Sequence, residues 1–186
     1  MGRAAIAAAV AGCGGGGDSP APAPGPAPAT GAAGTPAVAT VTCGQPNFAA
    51  RLLARVNQAR AAGANCGSDG TCSPAASVTW NDLLTQAAIG HSQDMAAHNY
   101  FSHTSLDGRL VSDRVNASGY AWTMLGENIA AGQPTVDSVV DAWMGSPGHC
   151  ANIMRPEYRE MGVACVPGGS ANTYATYWTM DLGRPR

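Results

Sequence analysis

The chain of 186 residues is weakly charged: 12% of its residues are Asp, Glu, Lys or Arg, its net charge is −2, and all ten basic residues are arginine. A balanced charge without a basic cluster argues against sequence-independent binding of nucleic acid, which needs a dense positive surface. No apolar run reaches the roughly 18–20 residues that a membrane-spanning helix requires. The length fits one folded domain.

Residues 1–13 have the pattern of an export signal. Arg3 precedes a stretch of Ala, Val and Ile, and small residues follow it, as in leaders that are removed on export. The segment Val10-Ala11-Gly12-Cys13 also resembles the cleavage site of bacterial lipoproteins, in which Cys13 would become the lipidated first residue. We predict a lipoprotein on the outer surface or in the periplasm. The alternatives are an ordinary secretion signal and a misplaced start codon.

Residues 14–42 consist almost entirely of Gly, Ala, Pro, Ser and Thr, with a single charge at Asp18. Such a segment cannot bury enough apolar surface to offset the entropy of ordering, so we predict a disordered tether. Proline at nearly every second position from Pro20 to Pro28 favours an extended chain. The folded domain is predicted to span residues 43–186.

Five cysteines lie in this predicted domain. They include no C-x-x-C pair and are too irregularly spaced for a zinc site, so we predict disulfides formed in an oxidising compartment. We favour a Cys150–Cys165 bond and a second bond within the set Cys43, Cys66 and Cys72. Because five is odd, one thiol is left free or pairs elsewhere, and the sequence does not say which of those three it is.

Apolar periodicity and capping residues predict four helices. The first begins at Pro46-Asn47, with Asn47 as the cap, and ends near Gly63. The second begins at Asn81 or Asp82 and has an apolar stripe of Leu84, Ala88, His91, Met95 and His98. The third spans Arg109 to Ala117, and the fourth runs from Pro134-Thr135 to Ser146-Pro147-Gly148. Residues 66–78 are predicted to form a loop rich in Gly, Ser and Pro.

The last third of the chain changes to the pattern of strands. Residues 161–166 and 173–180 are short β-branched or aromatic stretches separated by Pro167-Gly168-Gly169, which predicts a strand, a turn and a second strand. The resulting fold class is α+β, with helices packed around a small antiparallel sheet.

Common nucleotide-binding and hydrolase motifs are absent from the sequence. Cys150 follows His149, but neighbouring residues seldom face each other and Cys150 is predicted to form a disulfide. A cysteine nucleophile is therefore disfavoured. We expect His91 and His98 to be buried and hydrogen-bonded, since both lie on the apolar stripe. His103 follows the helix and precedes a turn, so it is better placed to face a cleft.

Glu127 is a carboxylate in an otherwise apolar stretch. Such a group must find a partner or shift its pKa, which marks a functional site. A structural cap or a buried hydrogen-bond acceptor explains the same pattern equally well.

Eight segments, in order, resemble those of bacterial members of the CAP superfamily, the group of cysteine-rich secretory, antigen 5 and pathogenesis-related 1 proteins with SCP-like domains. They are His91-Ser92-Gln93-Asp94-Met95-Ala96, Asn99-Tyr100-Phe101-Ser102-His103 with Asp107-Gly108, Gly119-Tyr120, Gly126-Glu127-Asn128-Ile129-Ala130, Trp143-Met144-Gly145-Ser146-Pro147-Gly148-His149, Asn152-Ile153-Met154, Gly162-Val163 and Tyr177-Trp178-Thr179. The resemblance spans about residues 47–183. It implies a three-layer α-β-α sandwich.

The resemblance also implies a cleft with two histidines and two acidic residues, which holds a divalent metal such as zinc in some members. His103 and His149 match the histidines, and Glu127 matches the first acid. The second acid would fall near Ser146, where this chain has no carboxylate, and Asp141 is only a weak substitute. A triad of two imidazoles and one carboxylate can hold zinc, more weakly than a tetrad. Its affinity should fall below about pH 6.5, where imidazoles protonate.

Two functions follow from the resemblance. The favoured one is a monomeric, exported module that uses a site of His103, Glu127, His149 and Ser146 to bind a cell-envelope polymer, a lipid or a protein. The alternative is a hydrolase in which metal-bound water attacks an amide or ester with Glu127 as the base. A purely structural role at the cell surface is a third reading.

Overall fold

A computed structural model describes residues 5–8 and 41–186. In chain order, its elements are β1 (Ala5–Ala8), α1 (Phe48–Ala62), β2 (Ala64–Asn65), a 3-10 turn (Gly67–Asp69), β3 (Thr71–Cys72), β4 (Thr79–Trp80), α2 (Asp82–His98), α3 (Val111–Ala117), β5 (Trp122–Ala131), α4 (Val136–Met144), α5 (Pro147–Met154), β6 (Glu160–Pro167) and β7 (Thr176–Pro185). Among the described residues, no helix has the length and apolar character to span a bilayer.

The main sheet has the strand order β1-β5-β7-β6-β4. The first four strands run antiparallel to their neighbours, and β4 pairs with β6 in parallel. In the register of β5 with β7, Glu127 lies directly opposite Asp181. Directly opposed residues of an antiparallel pair point to the same face of the sheet. These two carboxyl side chains are therefore neighbours on one face.

Helices cover both faces of this sheet. On one face α1 and α4 contribute side chains such as Leu52 and Trp143 to a core with Trp178 of β7. On the other face α2 contributes Met95, which packs with Ile129 of β5. The predicted α+β class and the α-β-α layers implied by the resemblance are confirmed.

The helix termini show where local capping rules hold. Asn81 caps α2 as predicted, since its side chain accepts hydrogen bonds from the backbone N–H groups of Leu83 and Leu84. Asn47 precedes α1 but makes no capping hydrogen bond with its side chain, because its backbone is left-handed with φ of 50°. The prediction of Asn47 as a side-chain cap is therefore wrong, although the helix begins where predicted.

Two elements near the predicted site were not expected from the sequence. The strand β5 (Trp122–Ala131) carries Glu127, and the helix α5 (Pro147–Met154) carries His149. Glycine and alanine are frequent in β5 and weaken its strand signal. In α5 the pair Pro147-Gly148 suggests a helix end, but proline in the first turn of a new helix is favourable since it has no N–H to satisfy.

The predicted Cys150–Cys165 disulfide is wrong, and so is the predicted second bond within the set Cys43, Cys66 and Cys72. Cys43 bonds with Cys165, with Cα atoms 5.3 Å apart, and Cys66 bonds with Cys150, with Cα atoms 5.4 Å apart. The reason lies in packing: Cys165 belongs to the main core, and Cys150 belongs to a separate cluster with Cys66. Cys72 is not a free thiol either, which agrees with the alternative that the odd cysteine pairs elsewhere.

The N-terminal predictions lie largely outside the described residues. Ala5–Ala8 pairs with Asn128–Ala131 of β5, whereas Cys13 and residues 14–40 of the predicted tether are not described. The export signal, the lipidation of Cys13 and the disordered tether therefore stay predictions.

Candidate functional site

The strand β5 directs the Glu127 carboxylate toward the α2 side of the sheet. Successive side chains of a strand point to opposite faces, so Glu127 shares a face with Ile129, which packs against α2. On the other face Gly126 admits Tyr158 and Asn152: a Cβ atom at Gly126 would collide with the Tyr158 hydroxyl and the Asn152 side-chain oxygen. Close packing behind the strand thus fixes the position of Glu127.

Glu127 and His103 meet, as the resemblance implies. His103 lies in the segment between α2 and α3, and its Nδ1 is 2.7 Å from Oε1 of Glu127. The Glu127 side chain is 1% exposed and the His103 side chain 23% exposed. The pair therefore connects a buried carboxylate to a ring that reaches the surface.

Arg114 of α3 completes this centre. Its Nη2 lies 2.6 Å from Oε2 of Glu127, and its side chain is only 3% exposed. Both carboxylate oxygens of Glu127 are therefore engaged, one by an imidazole and the other by a guanidinium. A charge-assisted bond of this kind, away from water, is among the stronger hydrogen bonds in proteins.

The surroundings keep Glu127 ionised. Burial would raise the pKa of Glu127, but the hydrogen bond from His103 and the nearby His91 ring and Arg114 guanidinium together lower it. The opposite happens at Asp181, where burial and the neighbouring Glu127 charge raise the pKa well above its usual range. Two adjacent buried carboxyl groups rarely ionise together, so Glu127 carries the negative charge and Asp181 keeps its proton.

His91 and His98 differ from each other although they lie on one predicted stripe. His91 is fully buried and its Nε2 is 2.9 Å from the Ser102 carbonyl oxygen, which confirms the expectation for this residue. The expectation for His98 is wrong: its side chain is 58% exposed and pairs with Asp94. His98 is the last residue of α2, and its side chain lies at the exposed end of the predicted stripe.

Burial of His91 predicts a loss of stability in acid. Burial, together with the charge of Arg114, lowers the pKa of His91 to about 4 and outweighs the opposing effect of the Glu127 carboxylate. Because the unfolded chain binds this proton near pH 6.5 and the folded chain does not, stability is lost as the pH falls from about 6.5 to about 4, by about 3 kcal/mol. Urea denaturation of the wild type and His91→Gln at pH 7 and pH 4 measures this difference.

The control for that prediction is His98→Gln, which changes an exposed histidine of the same helix. It should leave the acid loss of the wild type unchanged. An equal acid loss in His91→Gln and the wild type would contradict the assignment of the loss to His91.

His149 and Ser146 pair with each other. Nδ1 of His149 lies 2.8 Å from Oγ of Ser146, and His149 is 1% exposed. The helix α5 packs against β5 on the side of Asn128, whose side-chain amide donates to the His149 carbonyl. Glu127 points to the other side of that strand. The structure thus brings His103 and Glu127 together, whereas the place of His149 in the same site stays a prediction.

The weak substitute for the second acid is also elsewhere. Asp141 lies on the exposed side of α4 and forms an ion pair with Arg55. The carboxyl that does adjoin Glu127 is Asp181 of β7, which sequence reasoning missed.

The arrangement around Glu127 does not fit a zinc ion. A zinc site needs three or four lone pairs directed at one point, but both oxygens of Glu127 and Nδ1 of His103 are engaged with each other or with Arg114. His103 and Glu127 therefore offer a metal one unengaged nitrogen, Nε2 of His103. The guanidinium of Arg114 also repels a second cation. Within the described ranges, no group of three or more His, Cys, Asp or Glu side chains could hold a metal ion. Zinc binding stays a prediction from the resemblance.

The chemistry available at this centre follows from its protonation. An ionised Glu127 accepts a hydrogen bond, so Nδ1 of His103 donates it, and in the tautomer with a single proton on Nδ1 the Nε2 nitrogen is an acceptor. In the described part of the chain, Nε2 of His103 is buried and has no hydrogen-bond partner. A carboxylate that fixes the tautomer of an imidazole in this way also orients the base of hydrolytic triads.

The model of the CAP family, described as the cysteine-rich secretory protein family, matches residues 53–182, more than two thirds of the chain. The chain belongs to the CAP family. The centre of His103, Arg114 and Glu127 lies within the matched residues. Cys165 lies inside them as well, whereas its disulfide partner Cys43 precedes them.

Relatives by sequence come from Bacillus subtilis. This CAP protein is 41% identical over 90 residues to the uncharacterized protein YkwD and 33% identical over 88 residues to the uncharacterized membrane protein YlbC. The aligned parts cover 48% and 47% of this chain, and 35% and 25% of the two relatives. The match therefore concerns a part of each relative.

Solved structures share the CAP fold. An extracellular protein of Bacillus anthracis that contains an SCP domain has a TM-score of 0.52 and 29% identity, and the match covers 59% of this chain and 34% of that one. An outer surface protein of Borrelia burgdorferi has a TM-score of 0.54 and 18% identity, covering 60% and 80%. A cysteine-rich secretory protein of Staphylococcus aureus has a TM-score of 0.54 and 16% identity, covering 75% and 39%. The last two likenesses show the fold alone.

Sequence reasoning missed Arg114 and Asp181. Arg114 lies in a short helix of mixed composition, where nothing distinguishes it from a solvated arginine. Asp181 gives a usable signal, since it is the one charged residue between Thr173 and Leu182 in a predicted strand region. As with Glu127, a carboxylate in an apolar strand must find a partner or shift its pKa, which marks Asp181 as a candidate site residue.

Proposed function

We propose that this CAP protein is an exported ligand-binding module that recognises an uncharged polar group through His103. The single observation that carries the proposal is the engagement of both Glu127 oxygens by His103 and Arg114. Both oxygens of Glu127 are thereby used to orient the imidazole and to bind Arg114. The hydrogen-bond acceptor that remains for a ligand is Nε2 of His103. A hydroxyl or an amide N–H of a ligand would donate to that nitrogen after the side chains that bury it in the unliganded protein move aside.

The charge of the centre supports an uncharged ligand group. The negative charge of Glu127 and the positive charge of Arg114 offset each other at 2.6 Å, and Asp181 is protonated for the reason given above. In the tautomer with its proton on Nδ1, His103 then presents a polar but uncharged acceptor at Nε2. Hydroxyl and amide groups of an envelope polymer, a lipid headgroup or a protein loop have this chemistry.

Binding is favoured over hydrolysis because the site lacks some of the catalytic groups that a hydrolase needs. Glu127 has no free oxygen with which to take a proton from water, and the fit to a metal that would activate water is poor. The His103–Glu127 pair resembles the base and orienting residue of a triad, but no hydrogen bond joins Nε2 of His103 to a hydroxyl or thiol of the described residues. Hydrolysis is therefore kept as an outcome of the test.

Export is part of the proposal. The family description and the extracellular or outer-surface relatives support a location outside the cytoplasm. We propose a lipid anchor at Cys13, with secretion as the alternative. Cell fractionation of the wild type and Cys13→Ser separates the two: an anchored protein should move from the membrane fraction to the soluble fraction in the variant.

The binding proposal predicts that His103→Gln weakens ligand affinity about tenfold, the effect of losing one hydrogen bond. Calorimetric titration of the full chain with soluble cell-wall fragments, glycans and fatty acids identifies a ligand, and the variant is then measured with that ligand. The exposed His98→Gln is the matched control and should bind as the wild type does.

Equal affinity of the wild type and His103→Gln would contradict the role of this residue in binding. Release of a cleaved product from any member of the panel, lost in His103→Gln, would instead favour the hydrolase. The unfolding midpoint of each variant shows whether a lost affinity reflects a lost fold.

A further inference from the structure

We infer that Arg114 is the resident cation of the Glu127 site and takes the place next to the carboxylate that a divalent metal would need. The site of this CAP protein therefore works without a metal at His103 and Glu127. This inference concerns the charge that balances Glu127, so it does not depend on the ligand proposed above.

Four hydrogen bonds hold the guanidinium of Arg114 in place. Its Nη2 donates to Oε2 of Glu127 at 2.6 Å and to the His103 carbonyl at 3.1 Å. Its Nη1 donates to Oγ of Ser105 at 3.2 Å and to the Arg109 carbonyl at 3.1 Å. All four acceptors thus converge on one guanidinium that is almost completely buried.

These acceptors come from two parts of the chain. Glu127 lies on β5, whereas His103, Ser105 and Arg109 lie in the segment between α2 and α3. A planar guanidinium offers several donors in a fixed geometry, so it can hold a carboxylate and backbone carbonyls at once. Arg114 is therefore the positioning residue that holds the His103 segment against Glu127.

A buried carboxylate needs a positive partner, but it needs only one. Arg114 supplies that charge within the fold, since guanidinium groups stay charged at ordinary pH. A zinc ion approaching Oε2 of Glu127 would have to displace the guanidinium, which would leave a buried charge and three backbone or side-chain acceptors without their donor. The tetrad implied by the family resemblance has thus lost its free carboxylate oxygen as well as the acid expected near Ser146.

The first test compares zinc titrations of the full chain and of His103→Gln by calorimetry. We expect the same zinc affinity in both proteins, because any weak zinc binding comes from surface groups such as the exposed pair of His98 and Asp94. His98→Gln identifies that background. Wild-type zinc binding that His103→Gln or Glu127→Gln weakens tenfold or more would overturn the inference.

The second test removes the cation. Arg114→Met should gain at least tenfold in zinc affinity, and the gain should vanish in Arg114→Met/His103→Gln. Arg114→Lys keeps the charge and should gain nothing. A folded Arg114→Met without any gain, or a gain in Arg114→Lys of the same size, would overturn the inference. Should Arg114→Met fail to fold, the comparison of the wild type with His103→Gln still decides, since it leaves Arg114 in place.

Discussion

Arg114→Met is expected to lower the free energy of unfolding by about 3–5 kcal/mol, the range for removing one partner of a buried ion pair. Most of this cost comes from the hydrogen-bond partners of Arg114, which would remain buried without their donor. Glu127 would remain buried at 1% exposure without its guanidinium, and the carbonyls of His103 and Arg109 would lose their donor. Urea denaturation of the full chain at pH 7 measures the loss.

The matched control is Arg109→Met, which removes an arginine from a solvated pair. Arg109 and Asp107 are 51% and 55% exposed, and solvent-exposed ion pairs of this kind contribute little to stability. The double variant Arg114→Met/Glu127→Gln should recover part of the lost free energy of unfolding, because it also removes the unpaired negative charge of Glu127. A loss for Arg114→Met no larger than that for Arg109→Met would contradict the burial argument.

Loss of the Cys43–Cys165 disulfide is expected to cost about 2–5 kcal/mol, because the bond closes a loop of 122 residues and restricts the unfolded chain. The bond also fixes the segment before α1 to β6, where the Cys43 backbone N–H donates to the Cys165 carbonyl at 3.1 Å. Denaturation of Cys43→Ser/Cys165→Ser, compared with the wild type without reductant, measures the effect.

The pairing itself has a sharper test. In Cys165→Ser the thiol set free should be Cys43, and in Cys150→Ser it should be Cys66. Labelling with a thiol reagent under denaturing conditions, followed by peptide mass mapping, identifies the freed residue. Release of Cys150 in the Cys165→Ser variant would contradict the pairing and restore the bond expected from the sequence.

Some residues of the candidate site could be identified from the local sequence, and others could not. Glu127 and His103 could be singled out because each breaks a local rule: one is a carboxylate in an apolar stretch, and the other follows the end of a helix. Their contact was implied by the resemblance. His149 was matched by the same resemblance, and its Nδ1 pairs with Ser146 in the first turn of α5; its place in the site stays a prediction. A motif fixes residue types in order along the chain, whereas the direction of a side chain depends on the element that carries it.

The amino-acid sequence by itself determined the family, the α+β class and the positions of α1, α2 and α4, because caps and apolar periodicity act over a few neighbouring residues. Only the tertiary structure decided the disulfide partners, the pairing of Glu127 with Asp181 and the choice of Arg114 as the counter-ion. Each of these joins residues that are distant in the chain. Their meeting depends on strand register and on which face of a helix is buried, and both are set by packing of the whole domain.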